Sequence, residues 1–278
     1  MRMSMSNIAW LPDERHAAYE AMAEAGMTGL EIAPGLFFHA AEDPFCPPEH
    51  IAAEALSEMS GAGLSLVSMQ SLLFGVTGAA VFEGEEARTR LHAGMLRAIG
   101  LAERFGIPNL VFGSPGQRRI PEGMTAAEAQ DIAVALFRDL GDHAQAAGTR
   151  IAMEANPAAY GTNFLTTLEQ NIDFVAAVGH PAIVLILDLG TMHMNDSFGT
   201  VPDRVAELGA RLNHVHVSEP QLAPAPAPDT DLAPMFKALK TVGYDRAISI
   251  EMKRAPGGLD DVRGAIARLS AAWRAEGL

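Results

Sequence analysis

Ile183-Val-Leu-Ile-Leu-Asp188 sets five apolar residues in front of one carboxylate. Successive strand side chains point to opposite faces, so a run apolar at every position is a strand buried on both sides. That is the condition of a parallel sheet covered by helices. Three other segments end in the same way: Arg150-Ile-Ala-Met-Glu154, His214-Val-His216 and Ile248-Ser-Ile-Glu251. The closing residues 154, 188, 216 and 251 are 28 to 35 positions apart. Each interval accommodates about one strand and one crossover helix. If these units close into a barrel, four ligand-type side chains converge on one rim.

Working outward, strand and helix alternate along the chain. Strands are predicted at 3–10, 29–33, 64–69, 109–112, 150–154, 182–188, 212–217 and 247–252, and helices at 13–26, 48–61, 85–105, 125–147, 166–178, 202–209, 231–242 and 259–273. Helix 85–105 carries an apolar stripe of Leu91, Met95, Ala98, Leu101 and Ala102. Thr125 with Glu128, and Thr166 with Glu169, have the capping-box spacing. Eight strand–helix units in 278 residues predict an α/β fold, a (β/α)8 barrel forming a single domain over 1–278. The rival is an open doubly wound sheet, which usually carries a glycine-rich phosphate turn after its first strand; none is present.

Composition narrows the function. With 49% hydrophobic and 19% charged residues the chain can fill a sizeable core. A net charge of −14 disfavours general nucleic-acid binding. No apolar run reaches membrane-spanning length, and the start, Met1-Arg-Met-Ser-Met-Ser-Asn-Ile8, has no long apolar region, so neither a membrane partner nor a signal peptide is expected. The single cysteine, Cys46, cannot form an internal disulfide; a cytoplasmic setting is expected, with Cys46 an incidental loop residue.

Strand periodicity orients the candidate site. His214, His216 and Ser218 share one strand face and Val215 and Val217 the other; Ser249 and Glu251 alternate with Ile248 and Ile250. Helices cover the outside, so the polar set faces inward. His216 lies nearer the C-terminal rim, where barrel active sites sit, and is chosen as a ligand; His214 is a deeper or supporting group. Glu154, Asp188, His216 and Glu251 form a ring of three carboxylates and one imidazole, suited to one divalent ion: Mn, Mg, Co or Zn. The competing reading is that acidic strand ends cap the helices that follow.

Together these residues resemble the xylose isomerase-like TIM-barrel superfamily of sugar phosphate isomerases and epimerases. The likeness is carried by Gly29-Leu-Glu-Ile-Ala-Pro34, Ser68-Met-Gln-Ser-Leu-Leu-Phe-Gly75, Val111-Phe-Gly-Ser-Pro115, Glu154-Ala-Asn-Pro157, Leu187-Asp-Leu-Gly190 with His193, His214-Val-His-Val-Ser-Glu219 and Ile250-Glu251. The resemblance implies a TIM barrel, a small carbohydrate-like substrate and, as in the ketose 3-epimerases, Mn²⁺ or a similar ion held by Glu154, Asp188, His216 and Glu251. It also implies that Glu154 and Glu251 act on the substrate from opposite faces. Two positions depart from the epimerase pattern: Leu222 replaces an arginine six residues after the metal histidine, and Tyr160 replaces a second glutamate six residues after the first ligand. These departures bear on substrate specificity rather than on the ligand set.

Among the remaining polar residues, His193 is read as a substrate or supporting contact in a rim loop, against an exposed loop histidine. Gln70 at the end of strand three is read as a sugar hydrogen-bonding group, against a structural amide. Asn156 positions substrate, and Trp10 either stacks on a sugar or packs at the rim. His214 joins the substrate-side set, and Glu31 either orients neighbours or touches ligand. Arg118 and Arg119 are read as a solvated loop pair rather than an anion site. The expected activity is a metal-dependent isomerase or epimerase of a small sugar or sugar-derived keto compound, by proton transfer through an enediolate. The alternatives are a lyase or dehydratase of the inosose dehydratase type and, further off, an endonuclease IV-like DNA repair enzyme, which needs more histidines than the nine present and a basic face. A homodimer or homotetramer is compatible with these readings.

Overall fold

The computed structural model describes residues Met1–Leu278. Eight parallel strands follow one another in chain order around a closed barrel. They are β1 Arg2–Ser6, β2 Gly29–Ile32, β3 Ser65–Met69, β4 Leu110–Phe112, β5 Ile151–Met153, β6 Ile183–Asp188, β7 Leu212–Ser218 and β8 Ala247–Glu251. The helices are α1 Arg15–Glu24, α2 Pro34–Phe37, α3 Glu49–Gly61, α4 Glu85–Phe105, α5 Ala126–Ala146, α6 Leu168–Val178, α7 Leu189–Met194, α8 Val201–Leu208, α9 Ala233–Thr241 and α10 Leu259–Ala275. The predicted strand–helix alternation is therefore the observed one. The first strand is shorter than the 3–10 run, because the chain turns into a single 3-10 turn at Asn7–Ala9 before Trp10.

The chain divides into two compact units. The first comprises Met1–Val67 and Leu187–Leu278. Here β8 pairs with both β1 and β7, with Ser4 opposite Ser249, and Ser218 opposite Glu251. Ser4 Oγ and Ser249 Oγ are 2.5 Å apart, and Ser4 Oγ also donates to the Ile248 carbonyl at 3.0 Å. This small polar pair fills a narrow part of the interior. Gly29 lies beside it in register, and a Cβ there would come within 2.7 Å of Ser4 Cβ, so close strand approach requires glycine at this point.

The second unit is Ser68–Ile186. Its strands run in register as Phe112 opposite Met153 and Met153 opposite Leu185. On the strand face opposite Phe112, Val111, Ala152 and Ile186 pack with Val184 into one apolar cluster. A train of edge-to-face rings links Phe112, Phe137, Phe174, Phe164 and Phe82 at centroid spacings of 4.9 to 5.7 Å. Burying each of these rings contributes about 1.5–3 kcal/mol.

Capping chemistry fixes the helix starts. Thr125 and Glu128 form the expected box: Glu128 N donates to Thr125 Oγ1 at 3.2 Å and Thr125 N to Glu128 Oε2 at 2.8 Å. At α6 the expected Thr166–Glu169 box is replaced by another arrangement. Thr167 is the cap, accepting from Gln170 N at 3.3 Å, while Gln170 Oε1 accepts from Thr166 N at 2.7 Å. Two adjacent threonines make the one-residue shift cheap, since either hydroxyl can serve the first turn. No helix is long and apolar enough to cross a membrane.

Candidate active site

In the first unit, β2, β6, β7 and β8 deliver the acidic and histidine side chains. Alternation along β7 brings His214, His216 and Ser218 to one face, and all three are buried. Glu31 of β2 is fully buried. Its carboxylate lies 2.9 Å from His214 Nε2 and 3.0 and 3.1 Å from His216 Nε2. Burial alone would push the Glu31 carboxyl up, but the two imidazoles outweigh it and hold it well below the usual carboxylate range. An ionised carboxylate only accepts, so His216 Nε2 carries the hydrogen. The opposite nitrogen, Nδ1, faces Glu251 Oε2 at 3.2 Å and Asp188 Oδ2 at 3.9 Å.

Asp188 serves two neighbours. Oδ1 accepts from Thr191 N at 2.6 Å and caps α7, while Oδ2 accepts from Ser218 Oγ at 2.5 Å. Ser218 Oγ in turn accepts from Gly190 N at 2.8 Å. The capping role and the site role therefore coexist on one side chain, one oxygen each. His193 stands inside α7 rather than in a loop, because the Asp188 cap starts a helix immediately after β6. Its ring stacks on Phe198 at 3.9 Å, with Nε2 3.8 Å from Glu219 Oε2. Glu219 is 7% exposed and accepts from Ala227 N and Thr230 Oγ1 at 2.7 and 2.6 Å, so it is a structural clamp of the proline-rich loop. Trp10 is buried, meeting Tyr19 edge-on at 6.3 Å.

In the second unit, Glu154 follows β5, where its backbone N–H donates to the Phe112 carbonyl at 3.1 Å. Asn156 Nδ2 donates to Glu154 Oε2 at 2.9 Å. Gly113, just past β4, leaves room for both: a Cβ there would stand 2.3 Å from Glu154 Oε2. Gln70 is buried directly after β3. Arg118 is 1% exposed, which corrects its reading as half of a solvated pair. Its guanidinium turns inward to the Glu154 carbonyl and Asn156 Oδ1.

Within the first unit, one ligand-type atom from each of Asp188, His216 and Glu251 lies within 4.8 Å of the others. Glu31, His214 and His216 form a second such group, so His216 belongs to both and His214 only to the deeper one. The donor set tests whether a cation fits. The Asp188 and Glu251 carboxylates beside His216 Nδ1 are acceptors facing an acceptor, and such a set favours a proton or a cation among them. Buried oxygens with one imidazole suit a hard or borderline divalent ion.

A model of the xylose isomerase-like TIM barrel family matches residues 19–275. The chain belongs to that family. It is 25% identical over 211 residues to a ketose 3-epimerase of Arthrobacter globiformis, covering 75% of this chain and 70% of that protein. It is 29% identical over 126 residues to a D-psicose 3-epimerase of Enterocloster bolteae, covering 45% of this chain and 41% of that one. Among solved structures, a 3-keto-D-glucoside 4-epimerase from E. coli superposes with a TM-score of 0.78 at 16% identity, over 98% of this chain and 99% of that chain. At that identity the superposition speaks for the fold.

Proposed function

We propose that this chain is a metal-dependent epimerase of a small ketose or sugar-derived keto compound, working by proton transfer through an enediolate. The observation that carries the reading is the gathering of Asp188, His216 and Glu251 into one group of ligand-type side chains, to which Glu154 is assigned as the fourth member. Sequence relatives named for ketose and D-psicose 3-epimerisation support it. Mn, Mg, Co or Zn would be held by these four residues and, when bound, would stabilise negative charge developing on the substrate oxygens.

The chain's own residues do the rest. Epimerisation breaks a C–H bond next to the carbonyl and remakes it on the opposite face. One glutamate takes the proton as a carboxylic acid O–H, the electron pair enters the enediolate, and the other glutamate returns a proton from the far side. Glu154 follows β5 and Glu251 ends β8, so the two carboxylates are assigned to the two transfer steps separately. Glu31 accepts from His216 Nε2 and so aims Nδ1 at the site. Gln70 and His193 are assigned to substrate contact, with Trp10 and His214 as walls behind them; Asn156 serves Glu154 as well as the substrate side.

Turnover of D-fructose, D-psicose and D-tagatose with Mn²⁺ in D₂O tests the reading. Deuterium should enter the carbon beside the carbonyl. Glu154→Gln and Glu251→Gln should each lower the rate by about 10²-fold or more, with metal content measured alongside. Epimerised product without solvent deuterium would discard the proton shuttle, and a dehydrated product would reassign the chain as a lyase.

A further inference from the structure

Arg118 is a buried cation for which ligand and proton-transfer roles leave no use. It is among the largest fully buried side chains of the molecule. Nη2 spends both hydrogens on protein: one goes to the Glu154 carbonyl at 2.8 Å, the other to Asn156 Oδ1 at 2.7 Å. A guanidinium has only donors, so the Asn156 amide must present its oxygen to Arg118. That leaves Nδ2 pointing the other way, where it donates to Glu154 Oε2 at 2.9 Å. The chain of contacts thus runs from a fixed cation, through one amide, to one carboxylate oxygen.

The surroundings hold Arg118 still. Its carbonyl accepts from Thr162 Oγ1 at 3.2 Å. Two residues on, Ile120 exchanges a pair of hydrogen bonds with the Asn163 side chain at 2.7 and 3.0 Å. Burial brings the guanidinium down to about 10, with Glu154 acting in the opposite sense, so Arg118 stays charged at neutral pH.

An anion-gripping role is disfavoured by the same geometry. A guanidinium holds a carboxylate or phosphate through paired N–H groups, either Nε with Nη2 or Nη1 with Nη2. Both pairs need Nη2, whose hydrogens are already committed. Nε and Nη1 make no hydrogen bond to protein, but they are not neighbours on one edge and offer no fork between them.

We propose that Arg118 is a positioning residue which, through Asn156, fixes the orientation of the Glu154 carboxylate as metal ligand and base. This rests on the epimerase reading above. Removing Arg118 frees the Asn156 amide to flip, and a flipped amide turns its oxygen onto Glu154 Oε2 and repels it.

The test uses the full chain with Mn²⁺ as the probe. Mn²⁺ affinity is read by electron paramagnetic resonance, beside kcat, KM and Tm, for Arg118→Met, Arg118→Lys, Asn156→Asp and the double variant Arg118→Met with Asn156→Asp. Asn156→Asp keeps an acceptor for Arg118 and nearly the same shape but places an oxygen against Glu154, so it decides the matter even if Arg118→Met does not fold. Arg118→Met and Asn156→Asp should each weaken Mn²⁺ binding by about 10-fold or more, the scale for lost groups that orient ligands. Both should lower kcat much more than they raise KM. Arg118→Lys should recover most of the loss, since an ammonium can donate to both acceptors. The double variant should be no worse than the poorer single one. Wild-type Mn²⁺ affinity and kcat in Asn156→Asp, or losses that multiply in the double variant, would overturn the proposal while leaving the site reading intact. Failure of the wild-type protein to bind Mn²⁺ would overturn both.

Discussion

His216 gives Nε2 to Glu31, at 3.0 and 3.1 Å from its two carboxylate oxygens, and thereby turns Nδ1 toward Glu251 Oε2 at 3.2 Å. One buried carboxylate on β2 thus decides which face of an imidazole on β7 is presented to the candidate metal group. His214 meets the same Glu31 but belongs to the deeper group alone. The two histidines of β7, two residues apart, therefore have separable roles.

That separation predicts metal content. Asp188→Ala and His216→Ala should lose most bound divalent ion on elemental analysis, whereas His214→Ala should keep most of it and lose activity more mildly, by about 10-fold, through the weaker hold on Glu31. The reverse pattern for the two histidines would exchange their assignments. Full occupancy in both Asp188→Ala and His216→Ala would remove the site.

The aromatic train of the second unit predicts stability. Phe137 is 1% exposed and meets Phe112 and Phe174 at 4.9 and 5.6 Å. Phe137→Ala should cost about 3–5 kcal/mol, the range for deleting a buried ring. Urea unfolding followed by circular dichroism measures it, and a cost below about 1 kcal/mol would mean that the cluster is not packed as described.

A third prediction concerns acid. Arg254 grips Glu14 with two bonds, Nε to Oε2 at 2.9 Å and Nη2 to Oε1 at 2.8 Å, and Leu11 N adds a third at 2.8 Å. The Arg254 bond foremost, then the Leu11 amide, lower the Glu14 carboxyl from its ordinary value near 4.5 to about 2. A group whose folded value is depressed adds stability that is present above the unfolded value and lost as pH falls through the folded one. The Tm deficit of Arg254→Ala should therefore be constant between pH 6 and 8 and shrink steadily as pH drops from about 4.5 toward 2. A deficit of constant size across that range would contradict the pairing.

The sequence by itself determined the barrel and the identity of the strand-end residues. Apolar runs such as 183–187, the alternation of His214, His216 and Ser218 with valines, and the Thr125–Glu128 cap are short-range signals: they depend on strand pleat and helix geometry within a few residues. Tertiary structure alone decided the partners. Glu31 meets His216 from 185 residues away, a contact that exists only once β2 and β7 belong to one closed barrel. Arg118 is charged and follows a strand, which in local terms reads as a solvated loop residue. Its burial comes from acceptors 36 and 38 positions downstream, the Glu154 carbonyl and Asn156 Oδ1. Asp188 caps α7 and faces His216 at once, because a carboxylate has two oxygens and the barrel rim supplies a neighbour for each. Local periodicity reports which face a residue takes; which group waits on that face is set by chain closure, and no spacing rule in the sequence encodes it.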